Sequence, residues 1–302
     1  MKARRYKEGA CNHVYQRTID RFNIFYDITD YLVYYTIVSI AVQKYEVTIL
    51  ALCLMIDHIH MLISTSSKKV LSTFVSFITS VFVREYNSSI GRKGPLFDER
   101  FGSAPKSDKK KLMSTIIYIG NNPVERKLCL RAEQYRWNFI ASLDSDYPFS
   151  EPITLSEASY HLKKAIQEID LHRSKGRYLN YGILNRLLKK LTAMERNQLA
   201  DYIVSVYNVI DKTALMSHFE DHSELLKSMR STTGSEYEIK EDFDTRSDEI
   251  YRDMIKVAQS IYGSNARRVI VLSKDEKLNL MGEIRRRTAA QPWQIAKFLH
   301  VK

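Results

Sequence analysis

Long apolar runs are what this sequence has least of. Its most apolar region, residues 31–63, is broken by Gln43, Lys44 and Glu46, so nothing reaches the ~20 residues that a membrane span needs. The opening, MKARRYKEGACNHVYQ, has basic residues with no apolar stretch behind them, and no secretory signal is expected. Cysteine is scarce as well. Cys11, Cys53 and Cys129 lie far apart and are odd in number, which argues against a disulfide framework or a cysteine zinc pattern and leaves three reduced thiols. Internal repeats and low-complexity tracts are lacking too. The expectation is a soluble, cytoplasmic protein with no membrane partner.

What is present fits a globular chain with an anionic partner. The 302 residues are 44% hydrophobic and 11% aromatic, enough for a proper core in one large domain or two smaller ones. Lys and Arg number 46 against 35 Asp and Glu, a net charge of +11. Such a balance favours a polyanion such as nucleic acid, but it says nothing about chemistry.

Periodicity supplies the organisation. NHVYQRTIDRFNIFY (12–26) alternates and predicts a strand, and Asp27 or Thr29 then caps a largely buried helix. VTILALCLMI and HIHMLIS read as two strands divided at Asp57, and the following apolar helix stops at Gly91. A short strand or loop, PLFDERFGSAPKS, leads to the helix KKKLMSTIIYIGNN, which Pro123 closes. The order strand, helix, strand, strand, helix, strand is an α+β, ferredoxin-like (RRM-like) arrangement with an appended helix. Its antiparallel sheet would carry helices on one face and leave the other for a ligand. After YPFSEP the character changes: residues 156–230 are strongly helical, STTGSEYEIKEDFDTRSDE is a polar linker, and a last helical region follows. The division is therefore a first domain over residues 1–150 and a mostly α-helical one over 151–302.

One stretch asks for chemistry: LCLMIDHIHMLIS, in which His58 and His60 stand one residue apart in an apolar run. On a strand, alternate residues share a face, so the two imidazoles project side by side and are able to hold one divalent cation. Two histidines at a sheet surface are ordinary by themselves. A cation that handles phosphoryl chemistry needs oxygen donors as well, and the reaction needs a nucleophile. The helix LMSTIIYIGNNPVER offers both. Tyr118 and Asn122 are four apart and so neighbours on one helix face, a phenol beside an amide oxygen. An ordinary tyrosine has a pKa of about 10 and needs a nearby cation or base to attack at neutral pH.

These residues, in this order, resemble the single-tyrosine HUH (IS200-like) transposases, and among them the REP-associated tyrosine transposase branch. HUH stands for His–hydrophobic–His, here His58-Ile59-His60. The resemblance runs from about Tyr6 to Ala141 through VYQRTIDRFNIFY, LMIDHIHMLIS, GPLFDERFGS, IYIGNNPVER and QYRWNFIAS. It implies that Tyr118 attacks a single-stranded DNA phosphate, giving a 5′-phosphotyrosine and a free 3′-OH, and that rejoining reverses the attack without ATP. It also implies Mg²⁺ or Mn²⁺ on His58 and His60, with Asn122 as the further ligand. The sequence departs from the family at Asp57, where Asn is usual, at Ile56 in place of a common Pro, and at Glu125, where a basic residue is more usual. Asp57 is expected to point to the opposite strand face from the histidines and not to be a ligand.

Binding of single-stranded or hairpin DNA calls for cations and aromatic platforms. The candidates are Arg100, Lys106, Lys109, Lys110, Lys111 and Arg136, with Trp137 or Phe101 to stack on a base and the N-terminal KARRYK as an arm. The end of the chain resembles the opening of a helix-turn-helix whose reading helix is missing, so its DNA contacts would be limited to Arg285, Arg286 and Arg287. The rival readings are a related HUH nickase such as a replication initiator, and a non-catalytic DNA-binding protein that keeps the fold. Monomer and homodimer are both compatible with the sequence.

Overall fold

The computed structural model describes residues 5–98, 100–231, 248–263 and 265–301. Half of the predicted KARRYK arm and the core of the predicted polar linker lie outside these residues. Strand β1 (Cys11–Arg17) forms where the alternation begins. It ends well before Tyr26, because Asp20 and Arg21 adopt left-handed backbone (φ 53° and 55°) that no strand continues through. Helix α1 (Ile28–Tyr45) starts at Asp27, whose carboxylate accepts from Thr29 N and Asp30 N while Asp30 accepts from Asp27 N, a reciprocal capping box.

Then come β2 (Thr48–Leu54), β3 (His58–Ser64), α2 (Lys68–Ile90), β4 (Gly102–Lys106) and α3 (Lys109–Glu125). Gly91 stops α2 at φ 70°, as expected. Pro123 does not close α3 but sits in its last turn. The helix continues past it because Arg126 N still bonds Asn122 O at 3.1 Å and Leu128 N bonds Pro123 O at 2.9 Å.

The sheet order is β2-β3-β1-β4 with every pairing antiparallel, the ferredoxin-like arrangement expected. Register assigns the faces, since paired residues point the same way. Gln16 pairs with Ile59 and bonds Thr79 of α2 at 3.0 Å, so the face of Gln16, Ile59 and Met61 belongs to the α2 side. Tyr15 pairs with His60 and Arg17 with His58, which puts the histidines on the opposite face. That face is not open to a ligand as expected. The appended helix α3 crosses it, packing on β2, β3 and β4.

The C-terminal part is helical as predicted: α4 (Tyr160–Ser174), α5 (Tyr181–Lys189), α6 (Ala193–Val206), α7 (Lys212–Met216), α8 (His222–Ser231), α9 (Ile250–Tyr262), α10 (Lys274–Arg287) and α11 (Pro292–Leu299). Helices α5 and α6 lie on α1, and α8 lies on α3. There a methyl group at Gly120 would collide with Met229, and Asn121 Nδ2 donates to Met229 O at 2.8 Å. Arg267, 1% exposed, reaches back to Asp30 with Nε 2.8 Å from Oδ1, its guanidinium 3.8 Å over the Tyr181 ring. The expected helix-turn-helix opening is docked on residues 22–26. Tyr26 donates to Phe298 O at 2.5 Å, His300 Nε2 donates to Asn23 O at 2.6 Å, and Phe22 stacks on His300. No helix among the described residues is long and apolar enough to cross a membrane.

Candidate active site

Strand β3 delivers His58 and His60 to the α3 face, and α3 delivers Tyr118 and Asn122 to the same place. His58 Nε2 is 3.1 Å from Asn122 Oδ1, and His60 Nε2 is 3.3 Å from Asn122 Nδ2. The Tyr118 ring stands edge-on to His60 with centroids 5.5 Å apart. Residues four apart on a helix are one turn apart, which is why the phenol and the amide meet the histidine pair together. All four are buried, Tyr118 being 1% exposed and His60 0%.

Each imidazole is held from behind. His58 Nδ1 lies 2.6 Å from Asp57 Oδ1, and His60 Nδ1 lies 3.0 Å from His13 Nε2 on the neighbouring strand. Asp57 therefore does not point away as expected. It precedes the first residue of β3, and its carboxylate turns back onto His58. Its backbone is pinned by Thr18, whose N and Oγ1 both donate to Asp57 O at 3.1 and 3.0 Å. Burial raises the Asp57 pKa, but adjacent His58, then Arg126 and Lys297, outweigh it and hold the carboxyl well below the usual range. His13 was not singled out by the sequence reading. The signal was there: HVYQR alternates, and pairing β1 with β3 brings His13 to the histidine face.

These partners are compatible with neutral imidazoles protonated at Nδ1. With Nδ1–H of His58 donating to Asp57, and that of His60 to His13, both Nε2 atoms present lone pairs toward Asn122. The amide nitrogen donates to His60 Nε2 at 3.3 Å, and Oδ1 lies 3.1 Å from His58 Nε2. Two imidazole nitrogens and an amide oxygen gathered at one place are a donor set that would hold a divalent cation such as Mg²⁺ or Mn²⁺. Among the described residues no group of three His, Cys, Asp or Glu side chains is arranged to hold a metal. The third donor here is an amide, and open positions would remain for substrate oxygen.

The predicted DNA contacts divide. Lys109, Lys110 and Lys111 are exposed in the first turn of α3, and Arg100 is exposed before β4. Lys106 is not on a solvated loop: it is 4% exposed on β4, paired with Cys11, and β4 register turns it to the histidine face. Arg136 is turned inward, its Nε 3.2 Å from Asp201 Oδ1 and its guanidinium 4.9 Å over the Phe149 ring. Trp137 stacks on Tyr31 with centroids 4.4 Å apart, and Phe101 is buried. Apolar packing has claimed both proposed platforms.

Residues 8–122, somewhat over a third of the chain, match the family model described as "Transposase IS200 like". The match takes in His13, His58, His60, Tyr118 and Asn122 and ends there. A solved structure of a REP-associated tyrosine transposase bound to a REP hairpin is similar at 16% identity, over 46% of this chain and 81% of that one, with a TM-score of 0.40. A likeness of that size adds nothing to the functional argument. No curated protein matches the chain.

Proposed function

We propose that this protein is a metal-dependent endonuclease and strand transferase of single-stranded or hairpin DNA, with Tyr118 as the nucleophile. The observation that carries the reading is that the Asn122 amide lies against both His58 Nε2 and His60 Nε2 beside the Tyr118 phenol. Tyr118 Oη attacks the scissile phosphorus, the P–O3′ bond breaks, and the 3′ oxygen leaves as a hydroxyl after gaining a proton. The DNA 5′ phosphate stays on Tyr118, and attack by a 3′-OH reverses the step. A divalent cation bound by His58, His60 and Asn122 would polarise the phosphate and offset charge as the bond breaks. Asp57 and His13 fix the imidazoles so that both Nε2 atoms face inward.

Burial of all four side chains means that a phosphate reaches Tyr118 only after local opening over the sheet. Lys109, Lys110, Lys111 and Arg100 are the exposed cations proposed to hold the backbone meanwhile. Labelled single-stranded hairpin DNAs incubated with Mn²⁺ or EDTA test the reading. A metal-dependent nick with a covalent protein–DNA adduct, absent from Tyr118→Phe, is the expected result. Binding with no adduct across a varied set of hairpins would instead mark a DNA-binding protein that keeps the fold.

A further inference from the structure

Beyond the family match, a chain of buried charges leads from the helical region to the rear of the histidine pair. Asp57 Oδ1, 2.6 Å from His58 Nδ1, also lies 4.0 Å from Arg126 Nη2. Arg126 Nε in turn lies 3.8 Å from Asp248 Oδ2, and Asp248 N donates to Arg126 O at 3.0 Å. The four side chains are between 6% and 15% exposed. Asp248 stands just ahead of α9. Among the described residues its Oδ2 has no hydrogen-bond partner, so the side chain meets Arg126 through charge. Burying a carboxylate oxygen on those terms is costly. Stability alone does not account for the placement.

We propose that Asp248 is a positioning residue for the metal-binding histidines, acting through Arg126 and Asp57 on His58. The proposal rests on the metal-dependent reading above and extends it to the C-terminal half. Arg126 faces two carboxylates at similar distances, 4.0 and 3.8 Å. Asp248 draws the guanidinium toward itself and restrains it from closing on Asp57. Asp57 Oδ1 then stays with the imidazole Nδ1–H, which keeps the Nε2 lone pair basic and aimed at Asn122. With Asp248 neutralised, Arg126 closes on Asp57 and competes for the same oxygen. His58 loses part of its anchor, although no ligand has been touched.

Partners behind a ligating histidine typically contribute 10- to 100-fold to metal affinity. Asp248 is two steps removed, so its share is smaller. Mn²⁺ titration of full-length protein, followed by the electron paramagnetic resonance of free Mn²⁺, should show affinity falling about 3- to 10-fold in Asp248→Asn. Asp248→Glu should recover most of it. Asp201→Asn is the control, since it breaks another ion pair from the helical region, with Arg136, that does not touch the histidines. It should leave Mn²⁺ affinity within twofold of wild type.

A second readout needs no metal. Nitrogen-15 spectra of the metal-free protein should report His58 as the Nδ1–H tautomer in wild type and as a mixture in Asp248→Asn. Unchanged affinity and an unchanged tautomer in Asp248→Asn would overturn the proposal. An equal loss in Asp201→Asn would overturn it too, because the effect would then be general loosening. A wild-type protein that binds no Mn²⁺ would sink the metal-dependent reading and take this proposal with it. The first two outcomes leave that reading standing.

Discussion

Asp30 and Asp57 are both buried carboxylates facing an arginine, yet their other partners differ in kind. Asp30 is closed off. It accepts from Tyr26 N at 2.8 Å, Asp27 N at 3.1 Å and Tyr181 Oη at 2.9 Å, with Arg267 Nε at 2.8 Å and the Tyr181 and Tyr86 rings against the guanidinium. Everything around it is structural. Asp57 has a looser arginine at 4.0 Å and a shorter bond, 2.6 Å, to an imidazole. A buried ion pair whose charges are well matched mostly fixes geometry. One that shares an oxygen with a histidine sets what that histidine can do. The first cluster should therefore respond in stability, and the second in metal binding.

Arg267→Met is the largest test of the first half. It leaves Asp30 buried without its cation, which should cost about 3–5 kcal/mol of unfolding free energy, read by urea denaturation. Mn²⁺ affinity of the folded fraction should not move. A parallel loss of metal binding would mean the two clusters are one network and the contrast is false. Asp57→Asn should do the reverse. Mn²⁺ affinity falls about 10- to 100-fold, while the urea midpoint moves far less than in Arg267→Met. If stability falls as far as in Arg267→Met, Asp57 is a structural residue and its closeness to His58 is incidental.

Acid separates His300 from Asp248 by sign. Burial lowers the His300 pKa to about 4 from an ordinary value of about 6.5. Between those values the unfolded chain binds a proton that the docked histidine refuses, so stability is lost as pH falls from about 6.5 to 4. Burial, with Asp57 beside it, raises Asp248 to about 6 against the pull of Arg126. The native carboxyl then takes its proton before the unfolded one does, so this group stabilises the fold as pH falls through 6. Unfolding measured from pH 4 to 7 should steepen in Asp248→Asn and flatten in His300→Gln, each relative to wild type. The same slope in all three proteins would refute both assignments.

Much of this was legible in the chain, for physical reasons. Strand and helix periods are local, so the ferredoxin-like order emerges from them, and alternation alone puts His58 and His60 on one face. The i, i+4 spacing does the same for Tyr118 and Asn122. Asp57 was misread because alternation was carried one residue beyond the strand: β3 begins at His58, and the residue before it is free to turn back. His13 needed the β1–β3 register, which is a non-local quantity. Arg126 and Asp248 are far apart in sequence and meet only through tertiary packing. Lys106 and Arg136 looked like surface cations because charge is read from residue type, whereas burial depends on what packs above them. The docking of α11 onto residues 22–26 left no local trace either.

Exposed cations form the third kind of charge in this protein, and their effect should be the smallest per residue. Lys109, Lys110 and Lys111 occupy the first turn of α3, where the helix dipole disfavours positive charge, and Lys111 alone has a nearby carboxylate, Asp108 at 3.3 Å among the three, a pair about half exposed and worth little. Stability therefore does not explain three lysines at a helix N-terminus, while an anionic strand would. Each phosphate contact to a single strand contributes about 0.7 to the salt dependence of binding. Replacing all three lysines by glutamine should flatten the plot of log affinity against log salt by roughly 2, with melting unchanged or slightly raised. Arg136→Gln should lower stability and leave that slope alone, because its guanidinium is committed to Asp201. A slope unaffected by the triple change would move the strand's path off this end of α3, and Arg100 would become the first cation to test.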